Sequence, residues 1–166
     1  MIKTFYNIEI DENLTKEISE CISNKDYDKV VIYLSSFGGS QWDAQVIIDM
    51  INENKDKVEV IGYGKLLSAA FLIFMDIKCK KRILDNSYGM FHQGNWSTDI
   101  RDNGNPSSYF YKFRVNQTKS KIYPYYVDKC KEWGFNEQEL KKYKKGEDVY
   151  FSYERFKELI NHKSQS

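Results

Sequence analysis

The chain has 166 residues, 19.7 kDa, which suits one domain of ordinary size with a substantial core. Its 25 basic and 24 acidic side chains leave a formal net charge of +1, which excludes a global field drawing in nucleic acid or anionic lipid. Cys21, Cys79 and Cys130 form no CxxC and no Cys/His cluster, which argues against a disulfide framework or a zinc site and for a reducing compartment.

The N-terminal stretch MIKTFYNIEIDENL has no apolar signal core. The longest apolar run, Leu66–Met75, reaches about half of the ~20 residues a bilayer requires. A soluble, cytoplasmic protein is expected, with neither a membrane nor a nucleic-acid partner. Thirteen Tyr, ten Phe and three Trp point to a packed aromatic core or a subunit interface.

In chain order, a short strand IKTFYNIEI precedes a helix over 12–24, where Leu14, Ile18, Cys21 and Ile22 fall at helical spacing. KVVIYLSS (29–36) is a short β-branched run and reads as a buried strand. SFGGSQWD opens a second helix, whose apolar face is Ala44, Ile47, Ile48 and Ile51 and which ends near Asn54. KVEVIGYG (57–64) is a second buried strand, followed by a helix beginning near Ser68. KKRILD and SYGMFHQ follow, joined by a turn at Asp85–Asn86. This rhythm predicts an α/β fold with right-handed crossovers and a mostly parallel sheet.

Residues 95–105 read as a polar loop, and 106–133 as a helix with Pro106 in its first turn and a kink or break at Pro124. Asn136 and Glu139 have capping-box spacing for a short helix through Lys145. A small strand, EDVYFS, and a helix over 153–161 complete a single domain, 1–161, with a frayed tail at 162–166.

Three features carry candidate chemistry. Ser68 follows the carboxyl end of a buried strand; taken locally, a serine there is more often a helix cap than a nucleophile. His92 ends the strand SYGMFHQ, again at the edge where α/β folds place their chemistry, whereas His162 lies in the expected tail. Gly38 and Gly39 sit at a third strand end. There they read as a tight turn, as a phosphate loop lacking both glycine-rich fingerprints, or, with the amide of Ala69, as an oxyanion hole.

Strand–GG–helix, strand–Ser–helix, strand–His is the order of the proteolytic subunit of the Clp protease, and the chain resembles that family over nearly its whole length. Ser36-Phe37-Gly38-Gly39 looks like the family's SPGG loop, and Gly64 to Ala70 like its nucleophile turn. Met90-Phe91-His92-Gln93 looks like its histidine strand, and Asp148-Val149-Tyr150-Phe151-Ser152 like the strand bearing its aspartate.

The resemblance implies repeated β-α-β units of the ClpP/crotonase-like fold, with a protruding handle helix near 106–133. It implies a serine endopeptidase with Ser68, His92 and Asp148 as catalytic triad and backbone donors at Gly38, Gly39 and Ala69, using neither metal nor cofactor. Asp85, Asp99 and Asp102 are rival orienting groups, and Lys65 raises a Ser–Lys dyad. Partners implied are protein or peptide substrates and a homo-oligomeric ring, built through the aromatic 109–126 stretch (Tyr109, Phe110, Tyr111, Phe113, Tyr123, Tyr125, Tyr126). An AAA+ ATPase is the further partner the resemblance implies, but its docking is expected to be impaired, because the sequence starts at about the family's first core strand, without the segment of axial loops. That absence fits a phage-type relative that trims capsid or scaffold proteins.

Phe37 replaces the family's proline, Gly94 stands where a proline usually follows His-Gln, and Leu66, Leu67 and Phe71 are bulkier than usual and are expected to narrow the acyl pocket. Lys141, Lys142, Lys144 and Lys145 read as a solvated helix face. Two other functions keep the fold: a catalytically silent ring subunit, and a crotonase-like acyl-CoA enzyme, for which no adenine-binding feature is evident.

Overall fold

A computed structural model describes residues 1–93 and 125–165. Its elements in order are β1 (Ile2–Ile10), α1 (Glu12–Ser23), β2 (Val30–Gly39), α2 (Gln41–Glu53), β3 (Val58–Leu67), α3 (Ala69–Asp76), β4 (Lys80–Ile83) and β5 (Tyr88–Phe91). Helix α4 (125–132), α5 (Glu137–Lys144), β6 (Val149–Phe151) and α6 (Tyr153–Gln165) follow. The handle and loop readings over 95–124, with Pro106 and Pro124, lie outside the described residues.

The fold is mixed α/β. Among the described residues, six strands form one sheet in the order β1-β2-β3-β5-β6, with β4 also on β3. Every pairing is parallel except β5 with β6. The expected apolar faces are buried: Leu14, Ile18, Cys21 and Ile22 on α1, and Ala44, Ile47, Ile48 and Ile51 on α2. α1 starts at an Asp11 side-chain cap, α2 at a Ser40 cap, and α5 at the Asn136–Glu139 capping box.

β4 and β5 pair with successive stretches of one strand. β4 lies along Glu59–Gly62 and β5 along Lys65–Leu67. Between the two stretches β3 bulges: its register with β2 moves from Leu34↔Gly62 to Ser36↔Leu66. The bulge carries β3 on to Leu67, three residues past the expected end, and delivers the chain to Ser68.

α3 is buried at every position. Phe71, expected to narrow an acyl pocket, is instead wholly buried and stacks on Phe151 and Phe156, with ring centroids 5.1 and 5.0 Å apart. Trp133 meets its edge at 5.8 Å. The C-terminal elements thereby grip the helix that begins at Ser68.

Asp76, the last residue of α3, is 7% exposed and accepts from Lys163 Nζ (2.6 Å) and Trp133 Nε1 (2.9 Å), with Lys129 Nζ at 3.1 Å. Burial pushes this carboxyl up, but those hydrogen bonds and the two lysine charges outweigh it and hold it below its ordinary 3.8. Lys163 also explains why α6 runs to Gln165, past the tail expected from His162: its ammonium anchors the last turn to Asp76 and to Glu132, 3.2 Å away.

Candidate active site

Ser68 joins β3 to α3 with φ 55° and ψ −117°. A serine at positive φ is strained, at a cost of roughly 1–3 kcal/mol, and such a conformation persists only when its surroundings impose it. Here the Ser68 N–H donates to Met90 O (2.8 Å), and Leu72 N–H donates to Ser68 O (3.0 Å). The hydroxyl makes no capping bond to α3. Its partner is His92, whose Nε2 lies 2.8 Å from Ser68 Oγ.

Sheet register explains the meeting. β5 lies against the end of β3 with Leu67↔Met90, so the residues just beyond both strands emerge at one edge. β6 runs antiparallel to β5 through Gly89↔Phe151, Met90↔Tyr150 and Phe91↔Val149. One further step sets residue 92 opposite residue 148. His92 Nδ1 lies 3.2 Å from Asp148 Oδ1. An ionised carboxylate only accepts, so the Nδ1 of a neutral imidazole carries the hydrogen and Nε2 is left to accept from the serine O–H. The imidazole is about a quarter exposed and the carboxylate about half (26% and 47%).

The residues flanking His92 fix its place. The Phe91 ring stacks on Tyr143 at 5.5 Å and 9°, and Gln93 Nε2 donates to Tyr143 O at 2.6 Å. Both neighbours of the imidazole are therefore tied to the end of α5.

The glycine pair closes the other side. Gly38 has φ +105°, and a Cβ there would sit 2.8 Å from Ser68 Cβ, 2.9 Å from Leu67 O and 3.4 Å from Ala69 N. Only glycine lets the β2 backbone press against the serine turn. At Gly39, φ +148°, a Cβ would collide with Ile10 O, so β1 walls the far side. Such a set can carry acyl transfer: a hydroxyl, a base to take its proton, and backbone amides beside them.

The family profile of Clp protease matches residues 2–138. The chain belongs to the Clp protease family. No curated protein matches the sequence significantly. Among solved structures, the fold is similar to a point mutant of ClpP1 from Listeria monocytogenes, with TM-score 0.64 and 23% identity. That match covers 95% of this chain and 86% of the other. It carries the fold, a mostly parallel α/β sheet of ClpP type.

Within this Clp-family fold, two of the rivals named from sequence, Asp85 and Lys65, have described partners other than the serine. The Asp85 carboxylate acts on the Tyr153 hydroxyl, pushing its pKa up. Asp99 and Asp102 lie outside the described residues. The Lys65 ammonium sits over the Phe37 ring, 5.8 Å from its centroid. His162 packs on Gly134, where a Cβ would meet its ring at 2.7 Å. The three cysteines are free and buried, and burial pushes Cys79 up to about 11 and Cys21 and Cys130 upward as well, so none is a ready nucleophile.

Among the described residues no helix is long and apolar enough to cross a membrane. Sequence reasoning missed the Phe91–Gln93 bracket on Tyr143 and the Asp76 network. A lone acid closing the run AAFLIFMD was the available signal for the second, since a charge so placed is buried and needs partners.

Proposed function

We propose that the chain is a serine endopeptidase of Clp type, forming a single peptidase domain over 1–161. Ser68 Oγ attacks a peptide carbonyl while His92 Nε2 takes its proton and then passes it to the leaving amine. Asp148 holds the imidazole in the required tautomer and stabilises its charged form. The tetrahedral oxygen lies against the backbone N–H of Gly38 or Gly39 and that of Ala69, each such donor being worth about 3–4 kcal/mol in the transition state. Water then resolves the acyl-enzyme by the same proton path in reverse.

The observation that carries this reading is the imidazole of His92 between Ser68 Oγ at 2.8 Å and Asp148 Oδ1 at 3.2 Å, three groups far apart in the chain. Substrates are proteins or peptides, and the working form is a homo-oligomeric ring in the cytoplasm. Tyr125 of α4, half exposed, belongs to the aromatic stretch expected at the subunit contact, whereas its neighbour Tyr126 packs on Phe91 in the chain's own core.

A fluorophosphonate probe tests the nucleophile. Labelling of the assembled protein is expected on Ser68 alone and to be lost in Ser68→Ala. Assembled protein that resists the probe, or carries it on another residue, contradicts the assignment.

A further inference from the structure

Ser36 enters the family motif by identity alone, yet its hydroxyl has a defined task in the fold. Its side chain is fully buried, and its Oγ accepts the Gly38 N–H at 3.0 Å. Gly38 is the residue whose backbone touches the serine turn. The neighbouring Ser35, 1% exposed, fills the β3 bulge with its Oγ 3.4 Å from both Lys65 N and Lys65 O. The last turn of β2 is thus tied down by its own side chains at the point where regular pairing with β3 ends.

The Ser36 bond decides which amide is available. A donor engaged at 3.0 Å to a buried hydroxyl is not offered to a substrate oxygen. Ser40 N–H is also engaged, donating to Ile10 O at 2.7 Å. Between these two fixed amides stands Gly39, in register with Ile10 of β1, and the peptide plane carrying its N–H is oriented by the Gly38 torsion, which the Ser36 bond and the β1 pairing hold together.

We infer that Ser36 is a positioning residue for the reaction: by capturing the Gly38 N–H it fixes the loop so that the Gly39 N–H, with that of Ala69, receives the developing oxyanion. The inference rests on the reading of Ser68 as nucleophile. Ser36 touches neither substrate nor reacting atoms, and its effect falls on the transition state, where charge on that oxygen is greatest.

The test compares full-length wild type, Ser36→Ala and Ser87→Ala. Ser87 is another buried serine, bonded to Leu84 O away from the site, and serves as the structural control. Three readouts are taken: kcat and KM on a fluorogenic peptide, inhibition by a peptide boronate whose tetrahedral adduct on Ser68 places an oxygen in the hole, and exchange of the Gly38 amide hydrogen. Ser36→Ala is expected to lose about 10- to 100-fold in kcat and a similar factor in boronate affinity, with KM within about twofold. Its Gly38 amide exchanges faster, while Ser87→Ala keeps both kcat and boronate affinity.

Unchanged kcat and boronate affinity in Ser36→Ala, or a rise in either, overturns the inference while leaving the nucleophile assignment intact. A wild type that neither turns over peptide nor forms the boronate adduct on Ser68 overturns that assignment, and the inference with it.

Discussion

Alanine at His92 is expected to lower kcat on a peptide substrate by about four to six orders of magnitude, up to about 8 kcal/mol of transition-state stabilisation. No other described group stands in hydrogen-bond contact with Ser68 Oγ, so the proton has no second acceptor of comparable basicity at 2.8 Å. Asp148→Asn is expected to cost less, about 10²- to 10⁴-fold. Its carboxylate is half exposed and lies 3.2 Å from the ring, so water and salt already dilute its effect. The amide of asparagine can donate to Nδ1 and so favour the tautomer whose Nε2 bears the hydrogen, which is why some loss remains. Steady-state kinetics on both variants, with circular dichroism to confirm folding, check the order: His92 far above Asp148. A His92→Ala variant within tenfold of wild type removes the imidazole from the mechanism.

Removing the Asp76 carboxylate is the largest expected effect on stability. Asp76→Ala takes from two lysine ammonium groups and the Trp133 N–H the acceptor they share at a site that is 7% exposed, although both lysines keep the half-exposed Glu132. Breaking a buried charge cluster in this way costs about 3–5 kcal/mol, which for a chain of this size lowers Tm by roughly 10 °C.

The pH dependence follows from the same carboxyl. Its folded pKa is held below the unfolded 3.8, so its stabilisation is complete above the unfolded value and fades as pH falls through the folded one. Wild type should therefore lose stability on acidification below about pH 4, and Asp76→Asn should show a shallower loss there. Glu139, held low by Arg155 in a two-point pair at 2.8 Å, contributes in the same direction despite the upward push of its burial. Thermal melts from pH 3 to 7 read both effects. An Asp76→Ala variant melting within 2 °C of wild type at pH 7 counts against the account of α3 as anchored at its carboxyl end.

The elements were legible because their apolar spacings are unambiguous. The central strands follow from runs such as VVIYL and VEVIG, and α1 and α2 from the helical spacing of Leu14, Ile18, Cys21 and Ile22 and of Ala44, Ile47, Ile48 and Ile51. What periodicity does not encode is the sheet register. Nothing in GYGKLL announces that β3 bulges there, takes β4 on one stretch and β5 on the next, and so ends beside His92. Phe71 misled for a related reason: its size is written in the sequence, but the direction of its ring is set by Phe151 and Phe156, some eighty residues away.

The candidate site divides in the same way. Ser68 taken locally is a helix cap, and it ceases to be one only because φ 55° turns its hydroxyl to His92 rather than to the first turn of α3. Asp148 sits in a charged turn that by itself reads as solvated surface, and motif order, not chemistry, singled it out. The glycines were visible as backbone devices, whereas the capture of the Gly38 amide by Ser36 required coordinates.

Hydrolysis of a fluorogenic peptide by wild type and Ser68→Ala side by side, with the native mass of each recorded, tests the central claim most directly. The arrangement of Ser68, His92 and Asp148 predicts turnover by wild type and a fall of at least about 10⁴-fold in Ser68→Ala at the same assembly state. Equal rates in the two proteins would contradict it.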